Sequence, residues 1–152
     1  MGRYAEHTQV SAGRSREQIE RLLRRYGADQ FAYATSADRA MIGFILGGRK
    51  VQIAMPLPPM DEFTRTDKGR PRKRDAALRA WEQECRRRWR VLQQVILAKF
   101  EAIECGVTTL EAEFLAFMSL PGGETVGDRF IPQLEQVLQG TVQRLLPERR
   151  RG

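Results

Sequence analysis

Ile19, Leu22, Leu23 and Tyr26 follow one another at i, i+3, i+4 and i+7. That spacing places them on one side of a helix. Ser15 and Gln18 form an S-x-x-Q capping box ahead of them, and Gly27 supplies a left-handed stop, which predicts a helix over residues 15–26. Residues 30–34 (QFAYA) predict a short strand, followed by a turn at Ser36-Ala37-Asp38. Residues 40–46 (AMIGFIL) predict a second strand, and Gly47-Gly48 is a two-residue hairpin signal. On the return strand, residues 49–55, Val51, Ile53 and Met55 alternate with Lys50, Gln52 and Ala54, so one face is buried. Pro56, Pro58 and Pro59 end the sheet.

Residues 56–73 form a basic loop rich in proline, glycine and charge, predicted to be mobile when free. Phe63 within it is either a staple onto the core or an exposed stacking residue. From residue 74 or 75 to 104 there is neither glycine nor proline, and Leu78, Trp81, Cys85, Trp89 or Arg88, Leu92, Val95 or Ile96, Lys99 or Phe100, and Ile103 recur at three-to-four spacing. This predicts a helix of about 45 Å. A small domain is narrower, so one end is expected to protrude or to pair with another chain, which implies a homo-oligomer through the long helix. Gly106 stops it. Thr108 and Glu111 read as a T-x-x-E capping box for a helix with Leu110, Phe114, Phe117 and Met118 inward. Pro121-Gly122-Gly123 is a turn, and Thr125 with Asp128 caps a last helix carrying Phe130, Ile131, Leu134, Val137 and Leu138. Pro132 should kink that helix or delay its start.

The fold class read from these elements is α+β. An N-terminal helix and a small antiparallel sheet precede one long basic helix, and two shorter C-terminal helices complete the core. Residues 1–13 read as a flexible arm, 14–140 as a single domain, and 141–152 as a basic tail. The chain has 152 residues, 41% apolar and 30% charged, which suits one core. No apolar run is long enough to span a bilayer, and the first residues lack the apolar segment of a signal peptide. A cytoplasmic protein without membrane contact is the expectation.

Charge changes the picture most. The chain carries 26 basic and 19 acidic residues, a net of +7, and all but Lys50, Lys68, Lys73 and Lys99 of the basic ones are arginine. Residues 65–90 hold eleven basic and four acidic residues, so the whole excess lies there. A concentrated basic stretch is the electrostatic footprint of a polyanion binder, and the guanidinium fork fits phosphate. The candidate nucleic-acid contacts are Arg49 and Lys50 at the hairpin tip, Arg65, Lys68, Arg70, Arg72, Lys73 and Arg74 in the loop and first helical turn, and Arg87 and Arg90 on the long helix. Arg86 and Arg88 stand four residues after Glu82 and Glu84, so for them phosphate binding and helix ion pairing weigh equally. Trp81 and Trp89 could stack bases, but their spacing with Leu78, Cys85 and Leu92 favours the core. Tyr26 and Tyr33 read the same way.

Chemistry is thinly provided. One histidine and two cysteines exclude nearly every all-protein zinc site. A nucleophilic triad would need His7, in the N-terminal arm. Asp61, Glu62 and Asp67 lie near Lys68, yet in a loop without a partnering strand motif. Cys85 and Cys105, about 30 Å apart on one helix, cannot bridge. No catalytic residue, metal site or cofactor is predicted.

The run S-x-x-Q-I-E-R-L-L-R-R-Y-G-A (residues 15–28), the strand and hairpin that follow, A-W-E-Q-E-C-R-R-R-W-R (residues 80–90) and L-P-G-G-E-T-V-G (residues 120–127) together resemble small proteins carried by bacteriophages, prophages and other mobile elements. The resemblance covers most of the chain and brings no catalytic motif. It implies either a DNA-replication or recombination accessory, such as a single-strand binder or annealing protein, or a small inhibitor of a host defence or nucleic-acid-processing complex. The partner is then nucleic acid, DNA rather than RNA, or an acidic protein.

Overall fold

A computed structural model describes the backbone of residues 2–139 and the side chains of residues 13–139. The basic tail, 141–152, and the side chain of His7 lie outside the described residues. The order is α1 (Gly2–Arg25), β1 (Gln30–Thr35), β2 (Arg39–Leu46), β3 (Arg49–Pro56), a 3-10 turn (Met60–Phe63), α2 (Arg74–Glu104), α3 (Leu110–Phe114) with a 3-10 turn (Leu115–Phe117), α4 (Val126–Phe130), a 3-10 turn (Ile131–Gln133) and α5 (Leu134–Leu138). This is an α+β fold.

The apolar stripe of α1 turns inward: Ile19 and Leu23 are wholly buried. The helix begins at Gly2, however, well before Ser15. The residues expected to be an arm contain no proline, and Ser15 lies inside the helix and caps nothing. At the other end the amide of Gly27 bonds to the carbonyl of Arg24 and that of Ala28 to Leu23. This Schellman pair needs a left-handed residue, and Gly27 has φ +91°.

β1, β2 and β3 form an antiparallel meander with β2 central. The register places Tyr33 opposite Ile42, and Ile42 opposite Ile53, on one face. Ile42, Phe44, Val51, Ile53 and Met55 are buried there beneath α1 and α2. The other face carries Ala32, Ala34, Met41, Gly43 and Ala54. It holds no aromatic residue, and Ala32, Ala34, Met41 and Ala54 are exposed.

In α2 the buried row is Ala77, Trp81, Cys85, Trp89, Ile96 and Phe100. Trp89, Ile96 and Phe100 are thus the inward members of their ambiguous pairs, while Val95 is exposed. Burial runs from Ala77 to Phe100, so neither end protrudes by more than about a turn. α1 packs along the helix and the sheet lies under it, which gives a long element a continuous bed. Tyr26 stacks on Phe100 with centroids 4.5 Å apart, and its hydroxyl donates to Glu104 at 2.9 Å.

The C-terminal part departs from expectation in two ways. Thr109, rather than Thr108, caps α3, its hydroxyl accepting from the Ala112 amide at 3.2 Å. Glu111 is thereby freed to pair with Arg49. Phe114 enters the core as expected, but Phe130, Ile131, Leu134, Val137 and Leu138 are exposed, so the last helix does not complete the core. The Thr125–Asp128 capping box is formed, and Pro132 converts the helix into a 3-10 turn before α5 begins at Leu134.

Candidate nucleic-acid interface

The chain leaves β3 as a strap laid across α2. Leu57 and Pro58 are buried. Trp81 Nε1 donates to the Pro58 carbonyl at 2.7 Å, and an Arg88 guanidinium nitrogen donates to the Pro56 carbonyl at 2.7 Å. Proline carbonyls in a strap have no ladder partner of their own, and these two donors satisfy them. Both residues are therefore structural here. Trp81 does not offer a ring to a base, and Trp89, fully buried, does not either. Tyr33 packs on Trp89, and Phe63 packs half-buried against the core, so the staple reading of Phe63 holds.

The basic loop has a built conformation. The Thr66 amide donates to the Arg70 carbonyl, the Gly69 amide to the Thr66 carbonyl, and the Arg72 amide to the Thr64 carbonyl, each at 2.8 Å. Gly69, at φ +76°, makes the tight turn possible. The Arg72 side chain reaches back to the carbonyls of Phe63 and Arg65 at 3.2 and 3.0 Å, and Arg65 donates to the Gly69 carbonyl at 3.0 Å. These two arginines thus close the turn with some of their donors.

Between this turn and α2 lies an open cleft of about 330 Å³. Arg65 and Arg72 line it from the loop, and Arg87 and Arg90 from the helix. Glu62, Asp67 and Glu84 share the lining. Glu84 accepts from Arg87 at 2.8 and 2.9 Å and from Arg88 at 3.2 Å. The Arg87 hydrogen bonds above all, with those of Arg88, hold its carboxyl down at about 2. Arg87 was expected to face phosphate with Arg90. It is instead engaged by Glu84 three residues earlier, a spacing that helix geometry favours as well as i+4. Arg90 is exposed and, among the described residues, its side chain makes no ion pair or hydrogen bond. The same holds for Arg86, Lys68, Arg70 and Lys73. Arg86 thus joins the unpaired set, although the sequence left its role undecided. Arg74, in the first turn of α2, has an interaction of its own.

Arg49 and Lys50 do not join this cleft. The turn between β2 and β3 abuts α3, with Leu110 beside Gly47. Arg49 donates to the Gly47 carbonyl and pairs with Glu111 at 2.7 Å. Lys50 is exposed, and its carbonyl accepts from the Ser119 amide. The hairpin tip is a structural corner more than a free probe.

Among the described residues, no three His, Cys, Asp or Glu side chains come together closely enough to hold a metal ion, and no helix is long and apolar enough to cross a membrane. Burial pushes the Cys85 thiol up to about 11, which leaves it inert at neutral pH, and Cys105 is exposed. No protein-family model matches the chain, and neither a curated protein nor a solved structure matches it.

Proposed function

We propose that the protein is a non-catalytic nucleic-acid-binding accessory of a mobile element, contacting phosphates through the loop and the outer side of α2. The observation that carries this is the convergence of Arg65, Arg72, Arg87 and Arg90 on one open cleft, with Lys68 and Arg70 exposed on the adjoining turn. An open cleft whose one aromatic, Phe63, is half-buried and packed on the core favours backbone contact over base stacking. DNA is the proposed ligand, and single-strand binding or annealing is one activity it would serve. Arg86, Arg90, Lys68 and Arg70 are four of the residues whose charge is available. The test replaces these four by serine and measures salt-titrated binding beside thermal melts. Affinity should fall alike for unrelated oligonucleotides, and the log–log salt slope should shrink by about 0.7–0.9 per lost contact. Unchanged binding by a folded variant would remove the proposal. Magnesium-dependent cleavage, lost on substituting Asp61, Glu62 or Asp67, would refute the non-catalytic part.

A second reading has its own support. Glu62, Asp67 and Glu84 make the cleft mixed in sign, which suits a protein surface carrying both charges, acidic overall, as a host-complex inhibitor would require. Absence of binding to any oligonucleotide at low salt would favour it.

A further inference from the structure

The outer face of the sheet and the C-terminal helices bound a second groove, of about 920 Å³. Ala34, Met41 and Ala54 form its floor, and Phe117, Ile131 and Pro132 its wall. From that wall a row of large apolar side chains leads away. Phe130, Ile131, Leu134, Val137 and Leu138 are between 42% and 68% exposed. Ile131, Leu134 and Leu138 share one side by helical spacing. The long helix offers less: its exposed large apolar residues are Val91 and Val95.

We propose that the chain forms a two-fold dimer through this surface, the C-terminal segment of each copy laying Leu134 and Leu138 across the small-residue sheet face of the other. Three observations select a second copy as the occupant. Both halves of the contact lie in one chain, protruding side chains on one part and a floor of alanines on another, as an isologous interface requires. The area is sufficient, because the exposed side chains leave on the order of 500 Å² per copy, about 1,000 Å² for a pair, at the threshold of a specific interface. The charge is also compatible. In a chain of net +7 the excess sits in residues 65–90. Around the groove Arg39 lies near Asp128, Arg129 pairs with Glu124, and Glu135 is the remaining charge on the last helix. Among the described residues, two copies can therefore approach here without like-charge repulsion. A nucleic acid would find no excess of cations among the described residues of this face.

The test is sedimentation or light scattering of the nuclease-treated full chain over micromolar concentrations. A dimer that withstands high salt is expected. Met41→Glu in the groove and L134E/L138E on the helix should each give a monomer with unchanged circular dichroism. Mixing these two variants should restore a weaker dimer, since one of its two contacts then joins an intact groove to an intact helix while the other carries both changes. A monomeric parent, a dimer indifferent to both variants, or a mixture that stays monomeric would overturn the arrangement. None of these outcomes depends on nucleic-acid binding.

Discussion

Glu84 is the position where the electrostatics of the cleft can be turned by one atom exchange. Glu84→Gln keeps the shape of the side chain and removes the charge that holds Arg87 and Arg88. Arg87 is 59% exposed, so its pair with Glu84 is a surface pair. Such pairs contribute about 0.2–1 kcal/mol. For a chain of this size the loss is worth a melting-temperature drop of roughly 2–4 °C or less. Arg88 keeps its bond to the Pro56 carbonyl, which limits the structural cost. Binding should move the other way. A carboxylate about 4 Å from a guanidinium in a water-like surrounding costs a neighbouring phosphate contact about 1 kcal/mol, or roughly fivefold in affinity. With Arg87 released, the log–log salt slope should steepen by about 0.7–0.9. Fluorescence anisotropy with a labelled oligonucleotide, titrated against salt for parent and variant, reads both numbers. In the parent, Arg90→Ser should weaken binding more than Arg87→Ser, and in the Gln variant the two should become comparable. An affinity and slope indifferent to Glu84→Gln, in a protein that melts as expected, would refute the assignment of Arg87 to the binding surface.

The sheet face can be tested by Ile53→Ala, which should cost about 2–4 kcal/mol in denaturant unfolding because Ile53 is buried opposite Ile42; a loss below roughly 0.5 kcal/mol would contradict this packing. Gly127→Ala places a Cβ 2.8 Å from the Ala116 carbonyl oxygen, so α4 must shift, and a destabilisation of about 1–3 kcal/mol is expected by thermal melt. Glu84 also predicts a pH dependence. Its folded-state value, about 2, lies below the ordinary 4.5, so its stabilisation is complete above about 4.5 and fades as pH falls toward 2. Glu84→Gln should flatten the stability curve over that acid range and leave its shape above pH 5 unchanged. A curve parallel to the parent's throughout would show that the carboxylate is not held as described.

Much of the architecture was legible because local rules agreed with the global fold. Alternation at Val51, Ile53 and Met55, the glycine pair at 47–48 and the prolines after Met55 each constrain backbone conformation within a few residues, and all point to the same hairpin. The unbroken run of α2 and the left-handed stops at Gly27 and Gly106 are of the same kind. The start of α1 was misread because a capping pattern inside a continuous helix looks the same as one at its end. Which of Arg86, Arg87, Arg88 and Arg90 is free could not be read from spacing, since Glu84 reaches i+3 and i+4 alike. The Pro56 carbonyl decided Arg88, and it comes from a strand 32 residues earlier. Likewise the stripe from Phe130 to Leu138 has the pattern of a core helix, yet the inner sheet face was already covered by α1 and α2. Periodicity along a chain reports that a face is apolar. Only the tertiary arrangement decides whether any surface is left to cover it.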